Sequence, residues 1–158
     1  MTGVTIGGFD LSGVPLVSEI TPGLWQGGSA DGVVLPGFVV HFVQLSQRKP
    51  YRVEHDLASH VTYQMSDSPD QDMGGVDVIA SWVNSWRDAD QAVLVQCAAG
   101  LNRSGLIVAR ALMLRDHMTA DQAIALIRGR RSPACLHNEA FEGWLRSQHP
   151  TEPGRRSA

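Results

Sequence analysis

The sequence predicts a layered α/β domain, and three observations carry that reading. Short apolar runs punctuated by turn signals fill the chain as far as Met65. Beyond Met65, apolar residues recur at helical spacing through Val76, Ile79, Val83 and Trp86. One further short β-branched run, residues 92–96, leads through a glycine-containing loop into three more segments of helical character.

The N-terminal dozen residues, with Gly3, Gly7, Gly8 and Gly13, lack periodicity and read as an arm or a loose first strand. Strands are expected at residues 14–17, 24–26, 38–45, 52–57 and 61–65, with Pro22-Gly23, Gly27-Gly28 and Pro36-Gly37 as turn signals. Residues 66–72 form a polar loop. A helix then runs from about Asp72 to Asp88, and its start slips toward Val76 because Gly74 and Gly75 each cost about 1 kcal/mol in a helix interior. Residues 92–96 make the central strand, and residues 106–114 are apolar enough for a mostly buried helix. Thr119 and Gln122 fit a capping box that opens a helix with Ile124, Leu126 and Ile127 inward, closed by Gly129. Asn138 caps a last helix with Phe141, Trp144 and Leu145 inward. Trp82, Trp86 and Trp144 fit helix faces packed into the core. Residues 1–148 are expected to form one domain and residues 149–158, with Pro150, Pro153 and Gly154, a flexible tail.

Composition narrows the function classes. With 43% hydrophobic and 18% charged residues, the chain can bury a sizeable core, which excludes general disorder. A net charge of −3 without a polybasic run argues against coating nucleic acid. Two cysteines are too few for a disulfide framework, and the first twenty residues lack a basic stretch followed by an apolar one, so a cytoplasmic setting is expected. The apolar stretch at residues 33–45 is broken by Pro36, His41 and Gln44 and falls short of the ~20 residues of a membrane helix. Six dispersed histidines give no zinc spacing, so neither a metal nor another cofactor is expected. Twelve arginines against one lysine suggest a GC-rich genome, so only the placement of an arginine is informative.

One placement is. Cys97 ends the apolar strand, Ala98-Ala99-Gly100-Leu101-Asn102 makes a tight loop, and Arg103-Ser104-Gly105 opens a helix. Backbone N–H groups of such a loop converge on a tetrahedral oxyanion, and the helix dipole adds a favourable field. The same field, with Arg103 beside it, favours a thiolate at Cys97 and therefore a nucleophile near neutral pH. Arg103 supplies a planar fork matched to two phosphate oxygens. Gly100 and Gly105 also match the glycine spacing of a nucleotide-binding Walker loop, but Leu106 and Ile107 follow where lysine and serine or threonine are required.

From Cys97 through Ser104 the chain resembles the signature loop of the cysteine-dependent protein-tyrosine phosphatase superfamily, and within it the small dual-specificity phosphatases. Residues 93–95 look like the family's central strand, and residues 20–28 are similar to its opening segment. Arg130-Arg131-Ser132-Pro133 with Asn138 and Phe141 resembles its C-terminal helical hairpin. The resemblance implies a three-layer domain with a central mixed, mostly parallel sheet flanked by helices. It implies Cys97 as nucleophile, residues 98–103 as the phosphate-binding loop, and Ser104 as the hydroxyl that eases thiolate departure. It also requires a general acid about thirty residues upstream, which is Asp67, with Asp70 and Asp72 as competitors; Asp72 also reads as a helix N-terminal charge. Asn102 reads as a residue that holds the loop in shape. Gln96 departs from the pattern, because the family usually has histidine there; glutamine donates a hydrogen bond but carries no charge.

The activity implied is hydrolysis of phosphotyrosine, and of phosphoserine or phosphothreonine, in protein substrates through a phosphocysteine. No lysine lies between Cys97 and Arg103, which disfavours inositol lipids. Residues 102–105 also resemble the loop of RNA 5′-triphosphatases of the superfamily, and a binding module without turnover is the third alternative. Cys135 reads as a small buried residue or as a redox partner of Cys97. Arg128, Arg130 and Arg131 either border the site or form a solvated helix end.

Overall fold

A computed structural model describes residues 5–149 of the chain. Of the expected tail only His149 lies among them, and residues 150–158 fall outside the described residues.

Strands β1 (Thr5–Ile6) and β2 (Phe9–Asp10) form a short antiparallel hairpin. The main sheet is built from β3 (Val17–Thr21), β4 (Leu24–Gly27), β5 (His41–Gln44), β6 (Ser59–Thr62) and β7 (Val93–Gln96), in the order β3-β4-β7-β5-β6. Only the β3–β4 pair is antiparallel, so the sheet is mixed and mostly parallel, as expected. The helices are α1 (Val76–Asp88), α2 (Arg103–Asp116), α3 (Ala120–Arg130) and α4 (Glu139–Ser147).

Central placement of β7 follows from its composition, since all four of its residues are buried and it has a paired neighbour on each side. Val93 and Val95 join Val43 on the face packed against helical residues such as Ile79, Val83, Leu106 and Ile127. Leu94 and Phe42 point the other way, into a smaller cluster with Leu35, Val39 and Tyr51. All four helices contribute to the first cluster, while irregular chain covers the second face. Gly27, Gln96 and Gln44 are level across β4, β7 and β5, so the loops leaving these parallel strands emerge at one edge. That edge carries the site.

Local signals explain the helices. The α3 capping box is formed, with the Thr119 side chain accepting from Gln122 N and the Gln122 side chain accepting from Thr119 N. Asn138 Oδ1 accepts from the amides of Ala140 and Phe141 at the start of α4. Helix α1 begins at Val76, after the two glycines, and is joined to α2 by Asn84 Nδ2 donating to Ala111 O at 3.0 Å.

The structure corrects several expectations. The first main strand is residues 17–21, an edge strand whose alternating burial conceals it from a search for apolar runs. Residues 52–57 are not a strand: Arg52 makes one isolated bridge to Val34, and the segment crosses the second face of the sheet. Trp82 is 45% exposed, because α1 turns Val76, Ile79, Ala80 and Val83 inward instead. Gly129 lies within α3, one residue before its end. Among the described residues no helix is long and apolar enough to cross a membrane, and no cluster of His, Cys, Asp and Glu is arranged to hold a metal ion.

Candidate active site

The loop from Cys97 to Asn102 is gripped by its carbonyl oxygens. Gln96 Nε2 donates to Cys97 O at 3.0 Å, and Ser29 N donates to Ala98 O at 3.1 Å. Arg131 Nη2 donates to Ala99 O at 3.3 Å, while Arg131 Nε and Gln26 Nε2 donate to Gly100 O at 2.7 and 3.0 Å. Leu136 N donates to Leu101 O at 3.2 Å. Five consecutive carbonyls therefore point outward into protein donors. In a trans peptide the N–H points opposite to the C=O, and no cis bond interrupts the run. The amides of residues 98–102 consequently face the hollow of the loop, and among the described residues none of them donates to a protein acceptor. This is an anion nest leading into the N-terminus of α2.

Glycine is required at the tightest point. Gly100 has φ +70°, and a Cβ there would enter the backbone of Gly27 and Gly28. A Cβ on Gly28 would in turn come within 3.0 Å of Ala98 O. The Gly27-Gly28 turn signal thus marks where β4 presses against the loop.

Cys97 Sγ lies at the end of β7, 2% exposed, 3.3 Å from Ser104 Oγ in the first turn of α2. Arg103 Nη1 donates to Met65 O at 3.2 Å, and its buried Nε has no protein partner, so much of the guanidinium fork remains uncommitted. Arg103 and Asp67 share the wall of a polar cavity of about 520 Å³.

Asp67 is tied to the loop. Asn102 Nδ2 donates to Asp67 Oδ2 at 3.1 Å, and Asn138 Nδ2 donates to Asp67 Oδ1 at 2.9 Å. Asn102 Oδ1 accepts from Asn138 N at 2.9 Å, and its Nδ2 also faces His137 Nε2 at 3.2 Å. His137 Nδ1 lies 2.8 Å from Ala134 O; with the ring proton on Nδ1, Nε2 accepts from Asn102. Asn102 thus bridges loop, Asp67 and α4, a wider role than shaping its own backbone. Asp72 Oδ1 accepts from Gly74 N at 2.8 Å just before α1, and Asp70 is exposed; neither joins this network.

The arginine alternatives also resolve. Arg131 is neither on the rim nor solvated: 9% exposed, it grips the back of the loop, and its Nη1 reaches Pro15 O at 2.8 Å and Ser18 Oγ at 3.1 Å. Burial pushes its guanidinium below the usual value, against the opposing influence of Cys135, Cys97 and Tyr51. Arg128 holds Cys135 O and Leu136 O, and Arg130 is exposed. Burial raises Cys135 to about 11 and Tyr51 to about 12, with Arg131 pulling both downward. Gln26, Asn138 and His137 are the site residues to which sequence reasoning gave no role here, and Arg131 was offered only as a rim or solvated residue. Only Asn138 carried a visible signal, as a helix cap.

A cysteine at a strand end, an amide-lined loop and an arginine opening the next helix define an α/β domain with a cysteine loop at the strand ends. Residues 38–149 match the family described as dual specificity phosphatase, catalytic domain, and the chain belongs to that family. It is 29% identical over 136 residues to mouse dual specificity protein phosphatase 12, covering 81% of this chain and 40% of that protein, so it spans about two-fifths of that relative. Human DUSP28 superposes with a TM-score of 0.70 at 18% identity, over 83% of this chain and 90% of that one. A mouse putative dual specificity phosphatase, solved with zinc tungstate, gives 0.69 at 17% identity, over 92% and 90%.

Proposed function

We propose that the protein hydrolyses phosphomonoesters, phosphotyrosine and also phosphoserine or phosphothreonine, in protein substrates through a phosphocysteine. The observation that carries this reading is the run of five outward carbonyls, because it leaves five amides aimed at one anion beside a cysteine and an arginine. Phosphate oxygens take these amides and the Arg103 fork. The Cys97 thiolate attacks phosphorus in line, the S–P bond forms, and the P–O bond to the leaving group breaks. Asp67 protonates the departing oxygen. A water then attacks phosphorus, Asp67 takes its proton, the S–P bond breaks, and the Ser104 hydroxyl donates to the released thiolate.

Two amide donors on Asp67 are compatible with this role, because each carboxyl oxygen keeps a second lone-pair position for a proton. The test is turnover of p-nitrophenyl phosphate with acid trapping of phosphoprotein. Turnover that vanishes in Cys97→Ser, with label on Cys97 in the parent, supports the reading. Binding of phosphate without turnover would reduce the protein to a phospho-binding module.

A further inference from the structure

Beside the nest lies a second cavity, of about 490 Å³, that the chemistry above does not use. One wall is Ala98 and Ala99 of the loop with Gly28, and the opposite wall is apolar: Ile6 of the β1–β2 hairpin, then Leu11, Val14 and Leu16. No aspartate or glutamate lines it. Its interior polar groups are committed elsewhere, since Ser29 Oγ donates to Arg48 O and Arg131 holds the loop carbonyls. At the rim stand Arg48 and Lys49, the chain's only lysine, both exposed and neither paired with a carboxylate among the described residues. Arg48 lines this cavity and also the polar cavity of Arg103 and Asp67, so the two are neighbours that share that side chain.

Resting on the phosphatase reading, we infer that this cavity is a specificity subsite for the substrate peptide: it takes a large apolar side chain flanking the phosphorylated residue, and Arg48 and Lys49 meet an acidic residue beyond it. An interior without free hydrogen-bonding groups selects an apolar occupant. The unpaired basic rim selects one carried by an acidic segment. Because the two cavities adjoin at Arg48, one extended peptide, advancing about 3.3 Å per residue, can reach from a phosphate at the nest to the second. The apolar walls with a basic rim suit a peptide that carries an apolar and an acidic residue in turn, whereas a single alkyl chain carries no charge to meet that rim.

The test compares phosphotyrosine peptides that carry leucine in turn at each flanking position on a polyalanine background, with and without a glutamate farther out. Burial of one leucine side chain predicts that at one flank position kcat/KM rises about tenfold or more over the alanine peptide, mainly through KM. In Val14→Asp this leucine-to-alanine ratio falls to near one. In Lys49→Gln the leucine preference stays and the glutamate preference weakens, and in the double variant Arg48→Gln/Lys49→Gln the glutamate preference is lost. Using the ratio of two substrates on one enzyme removes any effect of a substitution on folding or on the chemical step. No preference above about twofold at any position, or a leucine preference that survives Val14→Asp, overturns the subsite while leaving p-nitrophenyl phosphate turnover, and so the phosphatase reading, intact. A long-chain alkyl phosphate preferred to every peptide assigns the cavity to lipid and also overturns it. Absence of turnover with p-nitrophenyl phosphate sinks both readings together.

Discussion

Asn138 Nδ2 donates to Asp67 Oδ1 at 2.9 Å, joining residues 71 positions apart, while Asn138 Oδ1 accepts the amides that open α4. One side-chain amide therefore fixes a helix start with its oxygen and the candidate acid with its nitrogen.

These two functions separate by substitution. Asn138→Asp keeps a capping oxygen but places a carboxylate against Asp67, so stability holds within about 1 kcal/mol while kcat falls tenfold or more. Asn138→Ala loses both. Thermal unfolding and kcat, measured with its pH profile, distinguish the roles. An Asp variant with parental kcat and an unshifted pH profile shows that the Asn138–Asp67 bond has no part in turnover.

Asp67→Asn is expected to reduce kcat by about a hundredfold or more with alkyl or unsubstituted phenyl phosphate, and far less with p-nitrophenyl phosphate. A good leaving group needs little protonation. Equal losses across leaving groups transfer the acid to Asp70 or Asp72.

Removal of the Arg131 side chain takes the partner from the part-buried carbonyls of Ala99 and Pro15 and leaves the buried Gly100 O with Gln26 alone. Unfolding free energy should fall by roughly 3 kcal/mol, and inhibition by inorganic phosphate should weaken. Arg131→Lys should not restore either property, because an ammonium cannot present the planar fork that grips three carbonyls at once. Denaturant titration and the phosphate inhibition constant read the two effects.

Alkaline pH should destabilise the fold. Cys135 is raised by burial to about 11 and Tyr51 to about 12. Both groups are neutral when protonated. The unfolded chain therefore loses these protons from about pH 9 upward, while the folded chain keeps them until each folded value is reached. Stability from these groups is complete below pH 9 and is lost as pH rises toward 12. Urea midpoints between pH 8 and 11 measure the decline, which should shrink in Cys135→Ala. By the same reasoning, iodoacetamide at pH 8 should leave Cys135 unlabelled until denaturant is added.

The contiguous parts of the site were legible because their chemistry is local. Cys97, the glycine-containing loop, Arg103 and Ser104 fall in eight consecutive residues between a recognisable strand and helix. The capping box at Thr119 and the Asn138 cap are likewise local hydrogen bonds. Arg131 was ambiguous because no local pattern tells whether a guanidinium at a helix end turns to solvent or into the core; its partners come from residues 15, 18, 99 and 100. Residues 52–57 misled because Val53 and Leu57 among charged neighbours resemble a strand, whereas the segment serves to cover Phe42 and Leu94.

The grip on the loop carbonyls also has a consequence for the order in which the fold is completed. Gln26 reaches Gly100 across 74 residues, and Arg131 reaches Ser18 and Pro15 across 113 and 116. Contacts of such sequence separation close late, after local helices and neighbouring strands have formed. In refolding, far-ultraviolet ellipticity should return ahead of turnover, and the lag between them times the moment when the two ends of the chain lock the nest from behind.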